Sequence, residues 1–226
     1  MVVADVLRAT SSIVYAIERG AAGIKPVSTT EQALAFKEMG YLVGAEREAR
    51  KCSFAHFGND PEEYTPQTVR GKEIVLTTSN GTPAFEVARQ YGARFILAGS
   101  FVNLTAVARF CREHHPCPVT VIACGWKGRF CSEDTLLGGA LCYTLQQMGV
   151  QYAYDDLTRL CTELYALHQT DLTEYLSTCD HQQRLLAAGY PRALALCTRR
   201  DACSALPLLQ PAPAPLEYIL RNYPLR

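Results

Sequence analysis

Strand and helix patterns alternate along the first two thirds of the chain, and this alternation leaves few folds open. Short apolar runs typical of buried strands lie at residues 2–4, 24–27, 41–43, 73–77, 95–98 and 119–123. Stretches with helical periodicity lie between and after them. Parallel neighbouring strands need a crossover connection, which a helix usually supplies. We therefore predict a three-layer α/β/α fold around a largely parallel or mixed sheet.

The patterns that predict strands stop near residue 154. Four stretches with helical periodicity follow, at residues 157–167, 172–178, 181–188 and 192–196. Residues 207–215 are rich in proline, which predicts an extended segment. No linker composition separates this part from the rest. We therefore expect one domain over residues 1–226, with an α/β core at residues 1–150 and a helical C-terminal cap at residues 151–226.

The composition argues against several classes of partner. Lys plus Arg and Asp plus Glu each number 22, so the formal net charge is zero, and no basic stripe favours a nucleic-acid partner. No apolar run approaches the roughly 20 residues of a membrane-spanning helix. The chain also starts without the charged segment of a signal peptide. We therefore expect no nucleic acid, no membrane and a cytoplasmic location.

Ten cysteines raise the question of disulfides or a zinc site. The chain has no Cys-x-x-Cys pair, and no histidine stands at metal-ligand spacing from Cys117, Cys124 or Cys131. Most other cysteines lie among apolar residues, where a free thiol behaves as a small hydrophobic group. We therefore predict reduced thiols in a reducing compartment.

Polar side chains follow the first predicted strand at the start of a helix. Asp5 and Arg8 come directly after residues 2–4, and Thr10 and Ser11 follow them. Helix N-termini attract phosphate, sulfonate or carboxylate groups because their N–H groups lack partners within the helix. The alternatives are a local Asp5–Arg8 ion pair and hydroxyls that only cap the helix.

A second polar segment follows the predicted strand at residues 119–123. A glycine-flanked arginine, Arg129, precedes Glu133 and Asp134 at the start of a helix. Magnesium is typically held by one or two carboxylates together with phosphate and water oxygens. The two acids could instead only interact with the helix dipole. Glu46 and Arg47, after the strand at residues 41–43, are further candidates for a metal and an anion.

Two more strand ends carry small hydrogen-bond donors. Asn80, Gly81 and Thr82 follow residues 73–77, and Ser100 follows residues 95–98. Such backbone can form an anion-binding nest. The alternative is an Asn-Gly turn with Thr82 as N-cap. Because ligands of α/β sheets bind at the carboxyl ends of the strands, we expect all these segments to meet in one cavity.

Five stretches together resemble the 2-phosphosulfolactate phosphatase family of coenzyme M biosynthesis. They are residues 5–11 (DVLRATS), 58–64 (GNDPEEY), 77–82 (TTSNGT), 99–103 (GSFVN) and 125–130 (GWKGRF), the last continued by Glu133 and Asp134. A weaker match continues through His181, Leu185 and Gly189. The family usually has a longer lead before the first strand, so we expect that this chain lacks an N-terminal segment.

The resemblance implies a magnesium-dependent hydrolase that converts 2-phosphosulfolactate, or a related phosphorylated hydroxy acid, to sulfolactate and phosphate. Its partner would be a small anionic phosphorylated metabolite. The oligomeric state stays open, with a homodimer as one possibility.

We hypothesise the following roles. Asp5, Glu133 and Asp134 are the candidate Mg²⁺ ligands, and Asp5, Arg8 and Arg129 are the candidate catalytic residues. The candidate substrate-binding residues are Thr10, Ser11, Arg47, Asn80, Gly81, Thr82 and Ser100. Arginine forks suit phosphate and sulfonate oxygens. The chain lacks an Asp-x-Asp signature, which favours attack by water over an aspartyl phosphate on Asp5.

Two other functions stay open at the level of sequence. The same donors would serve a binding protein for a phosphorylated or sulfonated metabolite that carries out no reaction. A magnesium-dependent lyase acting next to a carboxylate is a further alternative.

Overall fold

The computed structural model describes residues 1–225, which contain one nine-stranded sheet. In chain order, the strands are β1 (Val2–Ala4), β2 (Gly23–Pro26), β3 (Leu42–Arg47), β4 (Arg50–Lys51), β5 (Glu73–Thr77), β6 (Leu97–Gly99), β7 (Val121–Ala123), β8 (Pro207–Pro211) and β9 (Tyr218–Asn222). The first two thirds of the chain form the strands that the apolar runs predict, with boundaries that differ by a few residues.

The helices lie mostly between these strands. They are α1 (Ala9–Glu18), α2 (Thr30–Glu38), α3 (Pro66–Val69), α4 (Gly81–Gln90), α5 (Leu104–Glu113), α6 (Ser132–Gln147), α7 (Asp156–His168), α8 (Leu172–Leu176), α9 (Asp180–Ala187) and α10 (Ala193–Cys197). Among residues 1–225, no helix is both long enough and apolar enough to cross a membrane.

The sheet consists of two parallel groups of strands joined by an antiparallel hairpin. Its order is β4-β3-β5-β2-β9-β8-β6-β1-β7. Strands β3, β5 and β2 are parallel to one another, and so are β6, β1 and β7. The pairings β2–β9, β9–β8 and β8–β6 are all antiparallel. The two parallel groups therefore run in opposite directions along the sheet.

Alternating side chains divide the core between the two faces of the sheet. Val2 and Ala4 of β1 pack with residues of α5 and α6, whereas Val3 packs with residues of α1 and α4. This alternation is the two-residue period of a strand. Both parallel groups contribute to the core around α1 and α4, which includes Ile24 of β2 and Ala98 of β6. The result is the predicted three-layer α/β/α arrangement.

Strands β8 and β9 are the main departure from the sequence prediction. The helices predicted after residue 154 are present as α7 to α10, but residues 207–222 form a hairpin in the middle of the sheet. The prediction of a helical C-terminal part without strands is wrong for these residues. Pro207 and Pro211 obscured the pattern because proline normally argues against a strand inside a sheet. Both lie at the ends of β8, where its other residues can still pair.

Candidate active site

A cleft of about 310 Å³ opens where several strand ends meet α9. Its lining comes from the end of β3, from the segments that follow β1, β3, β5 and β7, and from α9. The charged, polar and aromatic side chains of this lining include Asp5, Arg8, Glu46, Asn80, Trp126, His181 and Arg184. The two oppositely directed strand groups thus place their carboxyl ends around one cavity, as the sequence predicts, although not along the edge of one parallel sheet.

Asp5 lies in this cleft with its carboxylate largely buried, at 6 % exposure. Its Oδ1 accepts a hydrogen bond from the Ala9 N–H group at 3.2 Å. The pKa of Asp5 is raised to about 6, mainly by burial. Glu46 and Glu133 contribute to the rise, whereas His181 and the hydrogen bond from Ala9 oppose it. Asp5 is therefore a negative group that the protein alone stabilises poorly, as expected for a ligand of a cation.

Gly81 lets the start of α4 approach the Asp5 carboxylate. A Cβ atom at this position would lie 2.5 Å from Asp5 Oδ2 and 2.6 Å from the Ala9 Cβ atom. Contacts this short require glycine or a shift of α4. The predicted substrate-binding residue Gly81 therefore provides space beside Asp5.

Arg8 is a buried cation whose guanidinium group is only partly paired. The residue is 2 % exposed, and its guanidinium group stacks 3.8 Å above the centre of the Tyr190 ring. Nη2 donates to the Ala49 carbonyl oxygen at 3.3 Å. Nη1 lies 3.8 Å from Asp60 Oδ2 and makes no hydrogen bond. A buried N–H group without a partner is costly, so this nitrogen is suited to bind an anion.

Arg184 supplies a second cation to the cleft. Its Nη2 is buried without a hydrogen-bond partner, and its guanidinium group lies 4.2 Å from the centre of the Trp126 ring. Arg184 is not among the residues predicted for the site from the sequence. The signal was available, because His181 and Arg184 are three residues apart and share one face of α9.

His181 and Glu133 form a hydrogen-bonded pair beside the cleft. His181 lines the cleft, and its Nδ1 lies 2.6 Å from Oε1 of Glu133. Glu133 is completely buried in the first turn of α6. A carboxylate at this distance fixes the orientation of the imidazole ring and leaves its Nε2 for other partners.

Asp134 connects two loops below the cleft. Its Oδ1 accepts from the Val6 N–H group at 2.8 Å, and its Oδ2 accepts from the Gly125 N–H group at 2.9 Å. Burial raises the pKa of Asp134 well above its ordinary value, and Asp5 and Glu133 add to the shift. Asp134 therefore belongs to the same group of carboxylates as Asp5 and holds the loops after β1 and β7 together.

Several predicted substrate-binding residues have internal hydrogen-bond partners. Thr10 Oγ1 donates to the Asp5 carbonyl oxygen at 2.9 Å. Ser11 Oγ donates to the Val6 carbonyl oxygen at 2.7 Å and accepts from Ser100 Oγ at 2.7 Å. All three hydroxyl groups are fully buried outside the cleft lining. They shape the loop after β1.

The segment after β5 is divided between the cleft and the interior. Asn80 lines the cleft, and its Oδ1 accepts from the Lys127 N–H group at 3.3 Å. Thr82 is buried, and its Oγ1 accepts from the Thr78 N–H group at 2.9 Å, while its own N–H group donates to Thr78 Oγ1 at 3.1 Å. Since α4 begins at Gly81 with Asn80 at the N-cap position, Thr82 lies inside the helix and is not its N-cap.

The structure places Arg47 and Arg129 outside the cleft lining. Arg47 donates to its neighbour's carbonyl oxygen and, at 2.9 Å, to Thr77 Oγ1. Arg129 is exposed in a tight turn in which its backbone pairs with that of Trp126. Of the three arginines predicted for the site, only Arg8 lines the cleft.

Comparison with known proteins agrees with the composition of this cleft. Residues 1–212 match the family model described as 2-phosphosulpholactate phosphatase. The chain belongs to this family. The resemblance stated from the five sequence stretches is therefore confirmed, and the family places the chain among enzymes that hydrolyse phosphoric monoesters.

Three similar proteins each carry the name "Probable 2-phosphosulfolactate phosphatase". The protein of Thermotoga maritima is 35 % identical over 99 % of this chain and 92 % of its own length. That of Gloeobacter violaceus is 36 % identical over 91 % of this chain and 86 % of its own length. That of Caldanaerobacter subterraneus is 33 % identical, with coverages of 93 % and 87 %.

Proposed function

We propose that this chain hydrolyses 2-phosphosulfolactate, or a closely related phosphorylated hydroxy acid, to the free hydroxy acid and phosphate. The observation that carries the proposal is a single cleft with two unpaired guanidinium nitrogens, on Arg8 and Arg184, and two buried carboxylates, Asp5 and Glu46. The named substrate of the relatives contains a phosphate, a sulfonate and a carboxylate group. A cleft with separate cationic groups suits such a polyanion.

The two arginines have different surroundings, which suggests different anions. Arg8 lies on the same loop as Asp5, so we assign it to the phosphate group that reacts. Arg184 stacks on Trp126 and lies on α9 near His181. We assign it to the sulfonate group, with Trp126 holding the guanidinium plane in place.

The carboxylates of the cleft fit a magnesium ion. Mg²⁺ prefers oxygen ligands and is usually held by one or two carboxylates. Asp5 and Glu46 both line the cleft and are both buried, so an ion there would offset their charges. They are the ligands that we propose. Each of the two uses one oxygen to accept a single backbone N–H group, from Ala9 and Ala49 respectively. Of the other predicted ligands, Asp134 accepts backbone N–H groups with both oxygens, and Glu133 is bound to His181. A bound Mg²⁺ would polarise the phosphoryl group and neutralise its charge.

His181 is the residue that we propose for proton transfer. The leaving group of this reaction is an alkoxide, which needs a proton as the P–O bond breaks. His181 reaches the cleft, and Glu133 orients its ring through Nδ1. We propose that His181 donates this proton from Nε2, while water attacks phosphorus directly. Arg8 holds the phosphoryl oxygens, so positioning and charge stabilisation supply most of the catalysis.

The test is phosphate release from two substrates that differ only in the sulfonate group. With Mg²⁺ present, we expect turnover of 2-phosphosulfolactate and of 2-phospholactate. Replacing Arg184 by alanine should raise KM for the sulfonated substrate by about 10- to 100-fold, since a charge-assisted hydrogen bond contributes roughly 1.5–3 kcal/mol. KM for 2-phospholactate should change little.

The matched control is Arg159→Ala, which removes an exposed arginine of α7. An equal rise in KM for both substrates would contradict the assignment of Arg184 to the sulfonate. Binding of 2-phosphosulfolactate by calorimetry without any phosphate release would contradict hydrolysis and favour the binding protein.

The burial of Asp5, one of the proposed Mg²⁺ ligands, also predicts that the stability of the protein depends on pH. The pKa of Asp5 is about 6 in the folded protein and about 3.8 when exposed, so folding favours the protonated form. The contribution of Asp5 to stability therefore falls as pH rises from about 4 to above 6. At about 1.4 kcal/mol per pKa unit, the loss is roughly 3 kcal/mol.

Melting temperatures of wild type and Asp5→Asn without Mg²⁺ test this expectation. The melting temperature of the variant minus that of wild type should increase by several degrees from pH 4.5 to pH 7.5. Millimolar Mg²⁺ should raise the melting temperature of wild type at pH 7.5 more than at pH 4.5, and should have little effect on the variant. If the difference in melting temperature between the two proteins did not depend on pH, this would contradict a buried, ionised Asp5.

A further inference from the structure

Four potential metal ligands meet where the first turns of α6 and α9 approach each other. Cys131 and Glu133 belong to the start of α6, and Cys179 and His181 to the start of α9. Each helix therefore contributes a thiol and, two residues later, a second ligand. Cys131 and Glu133 are buried, whereas Cys179 and His181 are partly buried. We call these four residues the thiol cluster.

Three ligand atoms of the thiol cluster are close enough to share one ion, and the fourth residue, Cys179, lies beside Glu133. The sulfur of Cys131, a carboxylate oxygen of Glu133 and a ring nitrogen of His181 all lie within 4.8 Å of one another. Cys179 Sγ is 3.8 Å from Glu133 Oε2. In a tetrahedral zinc site with bonds of about 2.0–2.3 Å, neighbouring ligand atoms lie roughly 3.5 Å apart. For Cys131, Glu133 and His181, side-chain adjustments of about an ångström would be enough to reach this spacing.

The donor types of the cluster select a class of ion. Thiolate sulfur and imidazole nitrogen are ligands of Zn²⁺ and related transition metals, whereas Mg²⁺ prefers carboxylate, phosphate and water oxygens. We propose that Cys131, Glu133 and His181 bind one zinc-type ion, with Cys179 as the fourth ligand. This site is separate from the pair of carboxylates, Asp5 and Glu46, that line the larger cleft.

A second cleft gives an ion access to the cluster. This cleft has a volume of about 360 Å³ and is lined by all four residues of the thiol cluster. His181 lines both this cleft and the larger one. An ion in the cluster would therefore hold the imidazole that we assign to proton transfer. Zinc should then inhibit phosphate release, a consequence that rests on the proposed function, whereas binding itself does not.

Co²⁺ is a suitable test ion because it binds in zinc sites. Sulfur ligands give bound Co²⁺ a charge-transfer absorption in the near ultraviolet. Titration of the full-length protein with Co²⁺ should produce this absorption at one ion per chain, and Zn²⁺ should abolish it. Excess Mg²⁺ should leave it unchanged. Cys131→Ser should weaken binding by at least 10-fold and remove much of the sulfur absorption, and Cys179→Ser should remove part of it.

Two further variants make the outcome specific. Cys117→Ser changes a cysteine outside the cluster and should bind Co²⁺ as wild type does. Asp5→Asn should lose phosphate release and keep the cobalt spectrum, so failure of the catalytic proposal and failure of this one can be told apart. Absence of sulfur absorption in wild type, or its full retention in Cys131→Ser of normal melting temperature, would overturn the proposed site.

Discussion

Asp5→Asn is expected to lower kcat for phosphate release by at least about 1,000-fold, which corresponds to roughly 4 kcal/mol of transition-state stabilisation. Asp5 is the buried carboxylate of the cleft nearest to the reacting groups in our proposal, since it shares a loop with Arg8. Asparagine keeps the size of the side chain and one oxygen acceptor for the Ala9 N–H group. It removes the charge that would hold Mg²⁺.

Phosphate-release assays with Mg²⁺ and saturating substrate measure this decrease in kcat. The control is Asp156→Asn, which makes the same chemical change at an exposed position of α7 and should leave kcat unchanged. Retention of more than a tenth of wild-type kcat by a folded Asp5→Asn protein would contradict the central role of Asp5. A phosphorylated Asp5 trapped during turnover would show instead that Asp5 is the nucleophile.

Asp134 would be a less informative position for the same experiment, although the sequence marks it as clearly as Asp5. Both of its oxygens accept backbone N–H groups, from Val6 and Gly125. Asparagine would place an NH₂ group against one of these donors. Loss of activity in Asp134→Asn could therefore result from a displaced loop as well as from a lost metal ligand.

The sequence was sufficient to predict that the ends of several strands line one cleft, although the predicted end of β6, with Ser100, lies outside its lining. Asp5 and Asn80 follow β1 and β5, Glu46 lies at the end of β3, and all of them line the cleft. Local patterns were enough because each strand and its following helix are adjacent in the chain. The predicted reason was incomplete, however, since the two strand groups run in opposite directions and meet only because β8 and β9 join them. Long-range pairing of this kind leaves no local periodicity.

The roles of single polar residues were harder to predict than their positions. Hydroxyl groups at a helix start serve equally as caps or as ligands of an anion. In the structure, Thr10, Ser11 and Ser100 bond to the protein itself because nearly all of α1 is buried. Arg184 shows the reverse case, since its spacing from His181 places both residues on one face of α9 but does not indicate that α9 covers the cleft. The thiol cluster escaped detection for the same reason, because its two Cys-containing segments are about 50 residues apart.

The largest effect on stability is expected at Gly139, where α6 packs directly against the backbone of α7. A Cβ atom on this glycine would lie 2.1 Å from the carbonyl oxygen of Cys161 and 2.4 Å from its carbonyl carbon. These are backbone atoms of α7, so no side-chain rotation can relieve the overlap. Gly139→Ala should therefore push the two helices apart and lower the free energy of unfolding by about 3 kcal/mol or more. The higher helix propensity of alanine returns only about 1 kcal/mol.

Gly138, the preceding residue of α6, provides a control that separates packing from helix propensity. A Cβ atom there would lie 3.8 Å from the nearest side-chain atoms of Val121, an ordinary van der Waals distance. Gly138→Ala should therefore be neutral or stabilise the protein by up to about 1 kcal/mol, because it gains helix propensity without overlap. Urea unfolding of both variants measures the difference. Equal stability of Gly138→Ala and Gly139→Ala would contradict the close contact between α6 and the backbone of α7 at Gly139.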